Sequence, residues 1–262
     1  MQAARQYWYA TADKEWLAEI GFPLAKGVAE FYAKRVTPRA YSVTTRGNAP
    51  AYDLNDVMGP DEYAFPVNNS AYTNAAAAIA LNFATEAAGV LGQPADPSWA
   101  TVAEGLALKI SDDIPLHPEL KGGYHPECTS CYCRRSLRCF SGVYCVVLTI
   151  MARTLRFATD DGFPKNPRAP RVKQADTILL SYPLGFNMSA TLLSNDLTVY
   201  DPITDPEGPA MTWSMFAVGW INAGDFNRSA GHFQRGYAPV HPPFNVWTES
   251  PNGGGTVNFI TG

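Results

Sequence analysis

The sequence predicts an all-α fold, an array of roughly eight helices whose long loops gather at one end. Three observations predict it. Apolar residues recur at helical spacing, as at Leu24, Val28, Phe31, Tyr32 and Arg35, near i, i+4 and i+7. Helix start and stop signals punctuate the chain at short intervals. Period-two alternation is scarce, so little strand is expected.

Taken in order, residues 2–11 and 14–20 read as helices joined at a short break, and Gly21-Phe22-Pro23 ends that pair. Residues 24–36 form the next helix. Thr37-Pro38 stops it, because a residue before proline avoids the α region. Residues 40–45 read as a short strand. Residues 46–69 are rich in Gly, Pro, Asn and Asp and read as a long loop, a kind of segment that usually carries function. Ser70 is placed to cap a long Ala-rich helix over 70–91, closed by Gly92-Gln93-Pro94. Asp96 as cap and Pro97 at the first position open a helix over 97–109. Residues 173–182 read as a short apolar helix ended before Pro183, and 189–201 as another helix. Gly208-Pro209 opens a strongly apolar helix over 210–221. Residues 225–237 form the last helix, before a Pro-rich loop over 238–245.

The 262 residues are 46% hydrophobic, 12% aromatic and 17% charged, with a net charge of -4. A disordered chain would be poorer in aromatics and richer in charge. A general nucleic-acid binder would need a positive field, so no nucleic-acid partner is expected. The longest apolar run, 140–152, falls short of the roughly 20 residues that span a bilayer, so no membrane partner is expected either. The opening MQAARQYWYATADKEW lacks a basic stretch followed by an apolar one. It reads as the interior of a helical domain, so the chain is expected to begin partway through a longer one. No repeat period recurs.

All five cysteines fall close together, at Cys128, Cys131, Cys133, Cys139 and Cys145. A disulfide-framed fold would spread them to close long loops. Cys128-x-x-Cys131 has the spacing of half a zinc site, but Cys133, Cys139 and Cys145 make a poor second pair, so no metal or other cofactor is expected. Residues 128–171 hold eight basic and two acidic residues, a charge of +6, while the remainder is -10 (12 basic against 22 acidic). One composition does not describe both parts.

Two loop segments pair a carboxylate with aromatic and glycine neighbours. The first is Val57-Met58-Gly59-Pro60-Asp61-Glu62-Tyr63, followed by Val67-Asn68-Asn69-Ser70-Ala71-Tyr72-Thr73-Asn74. The second is Phe244-Asn245-Val246-Trp247-Thr248-Glu249-Ser250, before Gly253-Gly254-Gly255. Between them lie Lys173-Gln174-Ala175-Asp176 and Gly208-Pro209-Ala210-Met211-Thr212-Trp213. Two carboxylates in one cleft can divide the acid and base roles of glycosidic cleavage. Trp and Tyr offer flat faces to sugar rings, and Asn, Lys and Gln offer donors to hydroxyls. Taken alone, an Asp–Glu pair in a loop is more often a solvated turn. Asp61 and Asn69 suit turn hydrogen bonds as well as substrate contact. Trp213, on a long apolar helix, reads as a packed core aromatic, and Asp176 as a cap or brace of its helix. Tyr63 and Asn68 are weaker candidates. The four histidines show no ligand spacing.

GPDEY followed by VNNSAYTN resembles the general-acid signature of glycoside hydrolase family 65. KQADTILLSYP resembles that family's sugar-binding segment, and GPAMTWSMFAVGW a further family block. The resemblance covers most of residues 1–127 and 171–262. It implies a six-hairpin (α/α)6 barrel with its active site at one mouth. It also implies inverting hydrolysis, with Glu62 as proton donor, Lys173 and Gln174 binding the glucose that is cleaved off, and Glu249 as general base. A general acid must hold its proton near neutral pH, which requires burial or a neighbouring anion such as Asp61.

The resemblance implies departures as well. The chain is expected to be an incomplete barrel, spanning residues 1–262, that lacks the N-terminal β-sandwich, the first barrel helices with their Trp-Asp segment, and a helix after Gly262. Residues 128–170 have no counterpart in the family and read as a Cys/Arg-rich insertion, from a lineage-specific event or a retained intron. The expected partner is a carbohydrate α-glucoside. Glucosyl-galactosyl-hydroxylysine of collagen, kojibiose-like and trehalose-like substrates all stay open. Two rivals stand beside hydrolysis. One is phosphorolysis, disfavoured because the GPAMTW region lacks the family's Ser-Ser and His for phosphate. The other is a non-catalytic carbohydrate-binding chain.

Overall fold

The computed structural model describes residues 1–39, 50–106, 108, 117 and 172–250. The predicted strand over 40–45, the cysteines and the insertion at 128–170 lie outside the described residues. The described residues are mostly helical, and the chain divides into two compact units.

Unit 1 comprises Met1–Pro60, Phe65–Lys121 and Asp176–Ser189. It contains α1 (Gln2–Thr11), α2 (Lys14–Trp16), a π-helical turn (Leu17–Gly21), α3 (Phe22–Arg35), α4 (Ala71–Val90), α5 (Pro97–Gly105) and a 3-10 turn (Thr177–Leu180). The expected stop at Gly21-Phe22-Pro23 does not occur, and the chain stays helical from Lys14 to Arg35. Pro23 lacks an N–H and would leave a gap in a regular ladder. The wide π turn takes up that irregularity just before it, with Phe22 N donating to Leu17 O. A Cβ at Gly21 would lie 2.7 Å from the Trp16 ring, so a larger residue there would have to push that ring aside.

Ser70 accepts from Thr73 N, and Asp96 accepts from Ser98 N ahead of Pro97, so both predicted caps are in place. Eleven of the twenty residues of α4 are buried. Its small Ala77, Ala84 and Ala87 sit in the core with Leu17, Phe22, Leu81, Phe83 and Trp99, where α4 packs against α3 and α5. The predicted loop over 46–69 contains more order than expected. Ala51–Asp53 (β2) pairs antiparallel with Thr37–Arg39 (β1), and Val57 and Val67 exchange two hydrogen bonds of 2.9 Å. The helix expected over 173–182 is only the 3-10 turn Thr177–Leu180. The backbone at Asp176 is far from helical (φ -131, ψ -91), and Pro183 follows closely.

Unit 2 comprises Asp61–Ala64, Gly122–Ala175 and Ala190–Gly262. Its described elements are α6 (Ala190–Tyr200), a 3-10 turn (Asp201–Ile203), α7 (Met211–Asn222), α8 (Phe226–Gly236) and a small hairpin of β3 (Val240–His241) and β4 (Val246–Trp247). Asp225 caps α8 by accepting from Arg228 N. Against α7, His232 stacks on Trp213 and Phe216, and its Nε2 meets Asp201 Oδ2 at 2.8 Å. Asp201 also accepts from the Trp220 indole at 3.1 Å. Among the described residues, no helix is long and apolar enough to cross a membrane.

Candidate active site

Asp61 organises one side of the site in unit 2. It is buried, and its Oδ1 accepts from Tyr63 N at 3.1 Å and from Lys173 N at 2.8 Å. Two segments over a hundred residues apart are thereby fastened to one carboxylate oxygen. Beside this brace, the Lys173 ammonium forms an ion pair with Glu62. The expected burial of Glu62 is not found. Its side chain is 51% exposed, and its partner is a cation rather than an anion.

The Lys173 segment is held from below. Val172 forms a parallel bridge with Thr204, through Val172 N to Ile203 O at 3.2 Å and Asp205 N to Val172 O at 2.8 Å. The Lys173 carbonyl passes so close to Gly208 that a Cβ there would lie 2.2 Å from its oxygen. Ala175 N donates to the buried Thr212 hydroxyl at 3.2 Å. Gln174, half-buried, thus lies between two neighbours whose backbones are fixed.

Tyr63 donates its hydroxyl to Asp205 Oδ2 at 2.7 Å, while Asp205 Oδ1 accepts from Glu207 N at 2.9 Å. The hydrogen bond to this carboxylate is the largest cause that pushes the Tyr63 phenol up to about 12, with burial and the charges of Asp205 and Asp61 adding to it.

Glu249 follows β4. Thr248 N donates to Pro239 O at 3.0 Å, and the Thr248 hydroxyl donates to Ser250 O at 2.8 Å while lying 3.0 Å from His241 Nε2. Trp247 Nε1 donates to Gly236 O at 2.9 Å. The Glu249 carbonyl accepts from Ala210 N at 2.8 Å, which fastens its main chain to the start of α7 and leaves the half-buried carboxylate on a fixed base.

Asp61, Glu62 and Lys173 therefore meet directly. Gln174 and Glu249 share their unit, and each is tied to residues 208–212 through a near neighbour or its own backbone. Asn69 belongs to unit 1. Its Oδ1 accepts from Leu54 N at 2.9 Å and Asn74 Nδ2 at 3.1 Å, and its Nδ2 donates to Asp53 at 2.6 Å. Its φ of 56° suits an Asn in a turn. Asn68 Oδ1 accepts from Asp56 N at 3.0 Å. Trp213 is buried in a stack with Phe216 and His232, as a core aromatic. Asp176 precedes the 3-10 turn, and its Oδ2 would lie 2.6 Å from a Cβ on Gly59.

Sequence reasoning missed Asp205, Thr212, Thr248 and His241. The Asp205-Pro206-Glu207-Gly208 turn chemistry was the one available signal for Asp205. Nothing in the other three marks their contacts. Among the described residues, no group of three His, Cys, Asp or Glu gathers that could hold a metal ion. The groups that meet are the Asp61 and Glu62 carboxylates and the Lys173 ammonium, with the Gln174 amide next along the chain. That set suits proton transfer and the binding of hydroxyl groups.

Residues 1–238 match the glycosyl hydrolase family 65 central catalytic domain. The chain is 37% identical over 262 residues to a protein-glucosylgalactosylhydroxylysine glucosidase of Danio rerio, covering 99% of this chain and 32% of that protein. It is 31% identical over 263 residues to a kojibiose hydrolase of Mucilaginibacter mallensis, covering 99% of this chain and 31% of that protein. The chain thus spans about a third of the length of these curated relatives. A solved structure from human microbiome, assigned as a kojibiose phosphorylase, superposes with a TM-score of 0.62 at 14% identity, over 88% of this chain and 31% of that one. That likeness concerns the fold.

Proposed function

The chain belongs to glycosyl hydrolase family 65, and from that premise we propose that it hydrolyses an α-glucosidic bond with inversion and releases glucose. The observation that carries the reading is the Asp61 brace, which holds Glu62 against Lys173. Glu62 gives its proton to the glycosidic oxygen as the bond from that oxygen to the anomeric carbon breaks. Water forms the new bond to the anomeric carbon on the opposite face, and its proton goes to Glu249. The two carboxyl groups then stand about 6.5–9.5 Å apart, with the water between them.

The Glu62–Lys173 pair has a part in this scheme. The Lys173 ammonium and the Glu62 carboxylate satisfy each other. Glucose hydroxyls entering the site take up the donors of Lys173 and Gln174, which releases the exposed Glu62 carboxylate to take a proton from solvent water and then to face the glycosidic oxygen as its acid. Asp61 keeps both in register through the Lys173 and Tyr63 amides. Asn69 acts on the substrate only if its present hydrogen bonds within unit 1 are exchanged.

The helices are proposed as part of a six-hairpin (α/α)6 barrel, supported by the family match and the fold likeness. Residues 128–170 are proposed as an insertion within it. For the substrate, the names of the relatives support a glucosyl-galactosyl-hydroxylysine or a kojibiose-type glucoside.

The test is glucose release from kojibiose, trehalose and glucosyl-galactosyl-hydroxylysine by the parent chain, Glu62→Gln and Glu249→Gln. Each substitution is expected to lower turnover by about a thousandfold. Activity within about tenfold of the parent in either variant sinks the assignment. Turnover that requires phosphate replaces water by phosphate as the acceptor. Calorimetric sugar binding without release points to a binding chain.

A further inference from the structure

We propose that Tyr63 is a specificity-determining residue, its ring serving as a fixed platform for a sugar on the leaving-group side of the bond. The inference rests on the hydrolytic reading above and deepens it. Three observations lead to it.

The ring is exposed yet held. Tyr63 is 47% exposed, but its amide is bound to Asp61 and its hydroxyl to Asp205 Oδ2 at 2.7 Å. Asp205 is itself pinned by Val172 O on its amide and Glu207 N on its second oxygen. An exposed tyrosine ordinarily gives up side-chain freedom when it binds something. Here that freedom is already gone, so contact with a ligand costs less entropy.

The chemistry left to the ring is that of its face. The phenol is committed to Asp205, and its proton is held to about 12, which removes it as an acid near neutral pH. A flat apolar face on an otherwise polar site suits the C–H face of a pyranose.

The position selects the leaving group. Glu62, the preceding residue, must reach the bond that joins glucose to its aglycone. Lys173, proposed to hold the glucose, already occupies the carboxylate of Glu62. Tyr63 is the next side chain of the same turn, and it is anchored to a different segment from Lys173's side chain. The ligand class is therefore a hexopyranose leaving group, as opposed to one without a ring.

The experiment compares kcat/KM for an α-glucosyl disaccharide with kcat/KM for α-glucosyl fluoride, whose leaving group has no sugar ring. In Tyr63→Ala the disaccharide-to-fluoride ratio is expected to fall about tenfold, chiefly through the disaccharide KM. Tyr63→Phe keeps the ring and gives up the Asp205 anchor, so its ratio is expected to fall by about threefold. If both substrates lose equally, Tyr63 supports the fold or Glu62 alone and the inference is overturned. A ratio that does not change in Tyr63→Ala overturns it as well. If the parent chain cleaves neither substrate, the hydrolytic reading fails first and takes this inference with it.

Discussion

Gly208→Ala probes the fastening of the Lys173 segment. A methyl group at position 208 would lie 2.2 Å from the Lys173 carbonyl oxygen and 3.1 Å from the Asp205 carbonyl oxygen. Ordinary contact begins at 3.4 Å, so the main chain at Lys173 must retreat by about 1.2 Å. Both obstacles are backbone atoms and cannot rotate away. A retreat of that size disrupts the Asp205 N to Val172 O and Val172 N to Ile203 O hydrogen bonds. Two such bonds at about 1 kcal/mol each, with about 2 kcal/mol of overpacking strain, give about 4 kcal/mol of destabilisation. For a chain of this size that corresponds to a melting temperature lower by roughly 8–16 °C. Thermal unfolding followed by circular dichroism reads the shift. Gly231→Ala is the matched control. It lies within α8 with nothing inside 4 Å of its Cβ, so it is expected to stabilise by about 0.5–1 kcal/mol. A Gly208→Ala variant that melts within about 2 °C of the parent refutes the close approach and the fastening built on it.

Two further outcomes follow from the same unit. The Tyr63 phenol has an ordinary value of 10 and is raised to about 12 in the folded chain. The unfolded chain therefore ionises first. The stability Tyr63 contributes is complete below pH 10 and is lost as pH rises through about 12. The melting difference between the parent and Tyr63→Phe should narrow over that window, by a modest amount because the side chain is largely exposed; a constant difference contradicts the assignment. Asp225 accepts from Arg228 N at 2.9 Å as the cap of α8, so Asp225→Ala should cost about 1 kcal/mol and Asp225→Asn much less. Their exposed ion pair adds little. Identical melting of Asp225→Ala and the parent argues against the cap.

The helices of unit 1 were legible because their signals are local. Ser70 and Asp96 with Pro97 mark helix starts through contacts within three residues, and those contacts are present. The π turn was not legible. Gly21-Phe22-Pro23 carries breaker chemistry, yet one extra residue in the preceding turn accommodates the proline, and the packing of Leu17 and Phe22 keeps the chain helical. The β1–β2 pair was missed because its partners are three residues long and separated by a long connection. In the site, the resemblance of GPDEY and KQAD to a known family pointed to Glu62 and Lys173, while Asp61 suited a turn hydrogen bond as well as substrate contact. Their mutual contacts join positions more than a hundred residues apart, and no local pattern encodes such a contact. Of the two means expected to keep a proton on Glu62, burial or a neighbouring anion, burial is not found, and the side chain that meets Glu62 is Lys173, from a distant segment.

The stretch from Gly208 to Thr212 receives the Lys173 carbonyl, the Ala175 amide and the Glu249 carbonyl within five consecutive residues. A hub of that kind limits how an enzyme lineage can diversify. A change inside it disturbs several distant chain segments at once, so variants there are removed together. On the hydrolytic reading proposed above, changes in leaving-group preference would fall instead on side chains outside the hub, where one substitution alters one contact. Such an architecture would let descendants acquire different diets while inheriting the same chemistry.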